Sequence, residues 1–413
     1  MNFGIIGAGP AGIFSALMIK EQNPEHTVTI IDGNQKIGRK LFATGNGRCN
    51  ITNMNAGPQS YYSIKPEDLS PVFERFGPAE IREKLMNLGI PTVQTEDGWV
   101  YPQSYSASNV VQILTDALQY AGVEVRSGAK ATAISLSGTK FVLTVEGAGK
   151  TKPFDRLILT SGSHAFPQLG ANTSILSELF QFGHRDLPFI PALAPVSAKG
   201  DIFKALQGLR VDAEVTAIKG KTELGSRFGN VIFTDYGLNG PGVMNVSHLI
   251  SDKDAKDYML QLNFVPGDLK RQLDGFFYQH INRDYPYRSV YLSVLPGKLV
   301  EYFFKIWKLD WETTCRRIDS RTFRIHLKRL ENGLIPIEGN RGFNFGQAAA
   351  GGIPLAEVDL HTMQSRKQKG LYFAGEVLDV LGPCGGYNLT WAISTGRLAG
   401  TSAGRSEELG IRG

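Results

Sequence analysis

Six residues near the start of the chain, Gly7-Ala8-Gly9-Pro10-Ala11-Gly12, have the spacing G-x-G-x-x-G, and an acid, Asp32, stands twenty residues after the last of these glycines. Alone, the glycine spacing is a weak signal. Here it follows the apolar run Asn2–Ile6, opens a helical pattern from about Pro10 to Gln22, and precedes the β-branched run Thr27–Ile31 that Asp32 closes. In such a strand–turn–helix–strand unit the first glycine permits the tight turn. The second lets a pyrophosphate approach the backbone, and the third lets the helix pack on the strand. Pro10 and Ala11 complete the turn, and the helix start offers unpaired N–H groups and a positive dipole end to the phosphates. Asp32, followed by Gly33, suits ribose hydroxyls and disfavours a 2′-phosphate. The expected chemistry is dinucleotide binding.

Two further segments decide which dinucleotide. Residues 34–57 are rich in Gly, Asn and Arg without periodicity and read as a long loop, the kind that is usually functional in a compact domain. A simple NAD enzyme has no need of it, whereas a flavin extended across the sheet needs a second wall. Near the other end, the short apolar strand Leu371–Ala374 leads into Gly375, Glu376 and the turn Gly385-Gly386-Tyr387-Asn388, then a helix from Leu389 to Leu398. An acid there binds ribityl hydroxyls, and a helix N-terminus beside the flavin N1/O2 edge stabilises the reduced anion. The expected cofactor is non-covalent FAD.

The segments GRKLFATGNGRCNITN and GLYFAGEVLDVLGPCGGYNLTWAISTG, with RFGNVIFTDYGLNGPGVMNVS and NRGFNFGQAAAGGIPLAEVD between them, resemble the hallmark segments of the YhiN-like (BaiN/RdsA) family of FAD-dependent oxidoreductases. The resemblance spans the chain. It implies a flavin domain, a β-barrel-like insert and a small helical domain. It implies FAD contacts at Gly7, Gly9, Gly12, Asp32, Arg39, Lys40, Thr44, Gly45, Asn46, Gly47, Gly375, Glu376, Asp379, Gly386, Tyr387, Asn388 and Leu389, with Ala131 meeting the adenine. The family's alanine-threonine-glycine-glycine turn reads Thr160-Ser161-Gly162-Ser163 here, which keeps Gly162 as a cofactor contact. Phe166-Pro167 stands where similar proteins often carry tyrosine-proline, and a glycine-aspartate-glycine step is absent from 169–176. These departures bear on substrate contacts along that edge.

Reduction of a C=C bond by a flavin needs a proton at the second carbon. Cys49, in the wall loop, is either that donor or a small buried wall residue. A redox disulfide of the glutathione-reductase kind needs a second cysteine a few residues from Cys49, and none stands there; the other two are Cys315 and Cys384. Tyr387 and Cys384 are alternative donors, while His164 reads as a polar loop residue. No His/Cys/Asp group has metal-ligand spacing, so no metal is expected. Gly237–Gly242 and Gly342–Gly346 do not fit a second dinucleotide motif. Reducing equivalents would therefore arrive at the flavin face in turn with the substrate, with NAD(P)H a candidate transient electron donor, come from another donor, or leave to oxygen.

Charge adds a partner. The net charge is +5. Residues 266–330 contain 13 Lys+Arg and 7 Asp+Glu, so this segment carries +6 and the rest of the chain −1. On its last helix Phe323, Leu327 and Leu330 share one face, while Arg317, Arg321, Arg324 and Lys328 gather on a neighbouring one. With Tyr285, Tyr287, Trp307 and Trp311 nearby, this pattern suits an RNA backbone. The competing reading is a solvated face on a lid over a small-molecule substrate. The resemblance to the RdsA side of the family implies ribosomal RNA and uracil reduced to dihydrouridine; other members imply a small-molecule ene-reductase or amine oxidase.

These residues need a scaffold of more than one lobe, since the chain has 413 residues and single cores stop growing near roughly 250–300. A hydrophobic share of 42% excludes a disordered chain. Three sparse cysteines point to a reducing, cytoplasmic setting, and no apolar run is long enough for a membrane helix. Strands at 123–125, 129–136, 140–146 and 156–160 and helices at 78–89 and 108–121 continue the first lobe. Alternation over Leu209–Ile218 marks a half-buried strand, and 266–330 reads as three helices. The expected fold is α/β: a Rossmann-like, glutathione-reductase-like FAD domain (1–189 plus 341–413), a β-barrel-like insert (190–265 plus about 331–340) and a helical basic insert (266–330).

Overall fold

A computed structural model describes residues 1–170, 173–250 and 257–405. The chain forms two compact units, one of residues 1–190 with the segment from Ala348 onward, the other Pro191–Gln347. Residues 341–347 thus group with the second unit.

The first unit is built on a seven-stranded sheet. Its order is Val358–Asp359, Gln364–Ser365, Leu371–Phe373, Arg156–Leu159, β1 (Asn2–Ile6), β2 (Thr27–Asp32) and Glu124–Ser127. From Leu371–Phe373 to Glu124–Ser127 all neighbours run parallel. Parallel strands covered on both faces read as unbroken apolar runs. Accordingly Phe3, Ile5, Ile30, Leu157, Ile158, Leu159, Leu371 and Phe373 are all fully buried. One central strand comes from the far end of the sequence, so the sheet is complete only after the intervening unit has been traversed.

Helix α1 (Pro10–Gln22) packs against the C-terminal helix Tyr387–Gly404, which runs further than the sequence pattern from Leu389 to Leu398. Glycine makes the approach close: a Cβ on Gly396 would lie 2.4 Å from Ala11 O, and one on Gly400 2.3 Å from Ser15 O. Ser15 Oγ, 2.8 Å from Ala11 O and 2.9 Å from Gly396 O, links the two backbones.

The expected long loop 34–57 is partly ordered into a short helix, Arg39–Ala43, a tight turn, Thr44–Gly47, and a strand, Thr52–Asn53. These pieces are too short to show a period. Gly38, at φ 67°, starts the helix from a left-handed residue, and Thr52–Asn53 is held by pairing with Trp99–Pro102.

In the second unit seven strands follow the order Gly333–Pro336, Tyr258–Asn263, Arg210–Lys219, Thr222–Thr234, Gly237–Asn239, Val196–Ser197, Gly339–Asn340. The two outermost strands are consecutive in the chain. Between them, Ile337 N donates to Tyr258 O at 3.3 Å and Glu338 N to Ser197 O at 2.7 Å. One segment therefore bonds to both edges, and the sheet curls into a barrel-like form. The alternation in Arg210–Lys219 is real, with Val211, Ala213, Val215 and Ala217 buried. Four helices follow rather than three: Asp268–His280, Arg288–Leu292, Gly297–Trp307 and Ser320–Glu331. The sequence pattern merged the five-residue Arg288–Leu292 with its neighbours. Barrel and helices share one apolar core that includes Leu260, Leu262, Phe277, Phe323 and Leu327.

Two expectations follow. Gly396→Ala should destabilise the protein by roughly 1–3 kcal/mol, the usual cost of overpacking, read by urea denaturation; an unchanged midpoint would contradict the close-approach account. His326 is buried, stacked on Trp307 with ring centres 4.1 Å apart, and its Nδ1 lies 3.0 Å from Tyr287 Oη. Burial, helped by the charge of Arg329, lowers its pKa from 6.5 to about 4. The unfolded chain therefore takes up a proton that the native state refuses. This contribution to stability is complete above about pH 6.5 and is lost on acidification toward about 4, at up to about 1.4 kcal/mol per pH unit. His326→Phe should shrink the drop in urea midpoint between about pH 7 and about pH 5; His248, likewise lowered to about 4 by burial and then by Arg227, leaves a residue of it.

Candidate cofactor site

The first glycine turn has the geometry its spacing predicts. Gly7 adopts φ 107°, and a Cβ there would lie 2.4 Å from Thr160 O. A Cβ on Gly12 would lie 2.0 Å from Gly7 O, so only glycine allows the helix to start this close to the strand. Gly9, the N-cap of α1, is different: a Cβ there meets nothing within 4 Å, and no side chain caps the helix. The helix start thus has open space at Gly9 and no side-chain cap, which fits a pyrophosphate on the first-turn N–H groups. The site lies where chain connections diverge from β1 to β2 and to Arg156–Leu159 on its other side, the crevice in which open parallel sheets bind nucleotides.

Asp32 is pinned to the turn: its Oδ2 accepts from Ala8 N at 2.6 Å and its Oδ1 from Asn34 N at 2.7 Å. Each oxygen keeps a lone pair for a ribose hydroxyl. Ala129 N donates to Asp32 O at 2.8 Å, and a Cβ on Gly33 would touch Lys130 Cβ at 3.4 Å. These contacts bring the buried Ala131 beside the acid, where the adenine end would lie. Across the crevice, Ser161 Oγ is buried with no hydrogen-bond partner among the described residues. Gly162 (φ 78°) has open space where a Cβ would be. An orphaned hydroxyl next to an open glycine fits a ligand group. The sequence reading passed over Ser161; its place at the carboxyl end of a central parallel strand was the available signal.

The wall segment is tied to both glycine turns. Gly38 N donates to Ala8 O at 2.9 Å. Arg39 donates to Asn34 Oδ1 at 2.7 Å and to Gln168 O at 3.0 Å. Lys40 pairs with Glu376, whose other oxygen accepts from Ala349 N at 3.3 Å. Thr44 Oγ1 donates to Leu41 O at 2.8 Å, and Gly45 and Gly47 have positive φ. The Asn46 side chain lies outside the described residues. Gly375 is pressed on α1, with a Cβ there 3.0 Å from Ala11 Cβ, and its N–H donates to Thr395 Oγ1 at 2.9 Å. At the start of the C-terminal helix, a Cβ on Gly386 would lie 2.6 Å from Thr52 O, and Thr52 and Thr390 hydroxyls meet at 2.7 Å. That helix also begins without a side-chain cap.

Two of the residues implied as contacts are occupied by the protein itself. Asp379 is fully buried, accepting from Gly351 N at 3.0 Å, Ser63 Oγ at 2.7 Å and Lys65 N at 3.1 Å. Asn388 clamps Gly382 through its N–H and C=O, both at 2.8 Å. Leu389 is buried. Tyr387 is half-buried; its backbone oxygen accepts from Tyr61 Oη at 2.9 Å, and burial raises its phenol. Tyr61, the residue that props it, was not singled out in the sequence. Cys49 is fully buried at φ 61°, and burial pushes its thiol up to about 12. A general acid works best with a pKa near the operating pH, so its surroundings suit a wall residue better than a proton donor. Cys384 is also pushed up by burial to about 12. His164 is exposed, 4.8 Å from the Phe189 ring.

On the helix Ser320–Glu331, capped by Asp319 Oδ1 accepting from Thr322 N at 2.6 Å, Phe323, Leu327 and Leu330 are buried. Arg321, Arg324 and Lys328 line a surface groove of about 410 Å³. Arg324 and Lys328 also line an adjoining groove of about 560 Å³ with Lys270, Asp274 and Tyr278. Arg317 lies in the preceding turn Cys315–Arg317 and lines neither. The aromatics require correction. Tyr287 and Trp307 are core residues, because the helices need their area for packing, and Tyr285 and Trp311 are half-buried. Tyr278, 42% exposed, is the aromatic at the groove. Among the described residues no three His, Cys, Asp or Glu side chains are placed to hold a metal, and no described helix is long and apolar enough to cross a membrane.

The family model described as HI0933-like protein Rossmann domain matches residues 1–402. The 3-dehydro-bile acid delta(4,6)-reductase of Clostridium scindens is 33% identical over 407 residues, 97% of this chain and 98% of that protein. The ribosomal RNA dihydrouridine synthase of Escherichia coli is 29% identical over 396 residues, 95% of each chain. That of Haemophilus influenzae is 26% identical over 412 residues, 97% of this chain and 98% of that protein. The chain belongs to the HI0933-like family and is an FAD-dependent oxidoreductase with a Rossmann-like cofactor domain.

Proposed function

We propose that this protein reduces a C=C bond conjugated to a carbonyl, and that its substrate is uracil in ribosomal RNA, converted to dihydrouridine. Bound FAD supplies the electron pair and the hydride that carries it. The turn Gly7–Gly12 and Asp32 would hold the nucleotide half, and the wall 38–53 with Gly375–Leu389 the flavin half. The observation that carries the RNA reading is the groove in which Arg321, Arg324 and Lys328 stand together on a solvent face. Positive groups gathered on one solvent face can neutralise phosphates of a nucleic-acid backbone. The base would have to leave its stack to be reduced. NAD(P)H is the proposed transient donor, in the cytoplasm.

A second reading is a small-molecule enone reductase, favoured by the 33% identity to the bile acid reductase. The two share one chemistry, since both the oxo-steroid and uracil carry a C=C bond next to a carbonyl.

Deleting the gene should abolish a dihydrouridine in ribosomal RNA, read by mass spectrometry of nuclease digests; an unchanged level leaves the small-molecule reading. Reversing Arg321, Arg324 and Lys328 to glutamate should weaken RNA binding at low salt by roughly 10²-fold or more and flatten its salt dependence, while flavin absorbance stays intact. For the cofactor, Gly12→Val should yield protein without flavin absorbance, since its Cβ would fall 2.0 Å from Gly7 O; retention of stoichiometric FAD would overturn the assignment of the turn.

A further inference from the structure

The groove of about 560 Å³ lined by the helices Asp268–His280 and Ser320–Glu331 lies wholly within the second unit. The two helices run antiparallel. Lys270, near the start of the first, pairs with Glu331, at the end of the second, at 2.7 Å. Further along, Phe277 stacks on Phe323 with ring centres 3.9 Å apart. Lys270, Asp274 and Tyr278 follow one another at four-residue steps, so they share one face of their helix. Arg324 and Lys328, also one turn apart, line the groove from the other helix, with the buried Leu327 between them.

Three features of this groove go beyond a basic surface. First, Tyr278 stands edge-on to the aromatic stack, 5.4 Å from Phe277 at 68° and 6.2 Å from Phe323 at 81°. Neither ring stacks on it, and it stays 42% exposed, so a flat face is left for a ligand. Second, Arg324 and Lys328 form no ion pair among the described residues, whereas Lys270 has Glu331. Third, the Asp274 carboxylate lines the groove and accepts no hydrogen bond among the described residues. The Tyr278 hydroxyl first, and then Asp274, raise the pKa of Arg324, which places all three groups at one end of the groove. A groove made for phosphates alone would be weakened by a carboxylate. An acceptor among cations suits a ligand that brings its own donors together with a negative charge.

We propose that this groove binds an unpaired guanine nucleotide of RNA, with the base stacked on Tyr278, its N1–H and N2–H groups donating to Asp274, and its phosphate held by Arg324 and Lys328. This rests on the reading of the protein as one that acts on ribosomal RNA, and it concerns a nucleotide other than the uracil that is reduced. Stacking on an aromatic face is tolerant of sequence, so the choice of base falls to the carboxylate. An ionised carboxylate only accepts, through two oxygens. Guanine offers two adjacent donors on its Watson–Crick edge. Adenine and cytosine set an acceptor beside their amino group, and uracil flanks its one N–H with two carbonyls. In a duplex that edge is paired, so the nucleotide bound here comes from a loop, a bulge or an end.

Short labelled oligouridylates with one central guanosine, adenosine or inosine test this by fluorescence anisotropy on the FAD-loaded full chain at low salt. The guanosine probe should bind more tightly than the adenosine probe by roughly 10- to 100-fold. Inosine, which keeps N1–H and lacks the N2 amino group, should fall between them. Asp274→Asn should abolish the preference for guanosine over adenosine. Tyr278→Leu should weaken binding of both purine probes by roughly 5- to 100-fold, and Tyr278→Phe, which keeps the ring, should retain it. Flavin content and melting temperature measured alongside separate a binding loss from a folding defect. Equal binding of guanosine and adenosine probes, a preference that survives Asp274→Asn, or wild-type binding by Tyr278→Leu overturns the proposal. Failure of the ribosomal RNA reading has a different signature: dihydrouridine unchanged on gene deletion. With the guanosine preference intact, that result removes the uracil substrate and leaves the nucleotide site standing.

Discussion

The cofactor domain depends on the contact of two helix backbones at almost their shortest distance. Gly396 and Gly400 on the C-terminal helix let it lie on Ala11 and Ser15 of α1, where any side chain would strike a carbonyl oxygen. The contact joins residues nearly four hundred positions apart and carries much else with it. It sets Gly375 against Ala11, it lines up the two uncapped helix starts with the wall segment, and it locks the last parallel strand into the sheet. Apolar burial alone would bring these helices together at a looser spacing. The absence of side chains at two positions, one helical turn apart, fixes the register.

Polar groups are distributed with the same economy. The carboxylates of Asp32 and Asp379 both accept backbone N–H groups, but they do so in different settings. Asp32 sits partly open beside the nucleotide turn, whereas Asp379 is fully enclosed and joins three chain segments. A buried carboxylate must have its lone pairs filled to be tolerated, so Asp379 is explained without a ligand. The orphaned Ser161 hydroxyl has the opposite character, and its vicinity to open glycine is why the crevice reads as a binding site.

The second unit separates its charges from its aromatics. Its helices bury Tyr287, Tyr291, Trp307 and Phe323 together, and the basic residues are left on the outer face. Nucleic-acid grips built on stacking would need exposed rings, and only Tyr278 stands at the groove with substantial exposure. A grip of this kind would act largely through phosphates and leave recognition of the base that is reduced to another site.

Much of this was legible in the sequence. The glycine turn and Asp32 are local, within one strand–helix–strand unit, and a spacing rule captures them because backbone sterics at three glycines dictate the outcome. The apolar runs of β1, β2 and Arg156–Leu159 and the alternation of Arg210–Lys219 likewise follow from which faces are covered. The short helix Arg39–Ala43 was not legible, since five residues carry no period; nor was the helix Arg288–Leu292. The stripe of Arg321, Arg324 and Lys328 followed from helical periodicity, but periodicity cannot say which nearby aromatics a core will claim. Tertiary structure alone decided that Tyr287 and Trp307 are core, that Asp379 joins the segments at 63–65 and 351, and that Ser161 has no hydrogen-bond partner among the described residues. Each depends on what segments distant in the chain bring to or leave around the residue, and a one-dimensional pattern holds no distance between residues far apart in sequence.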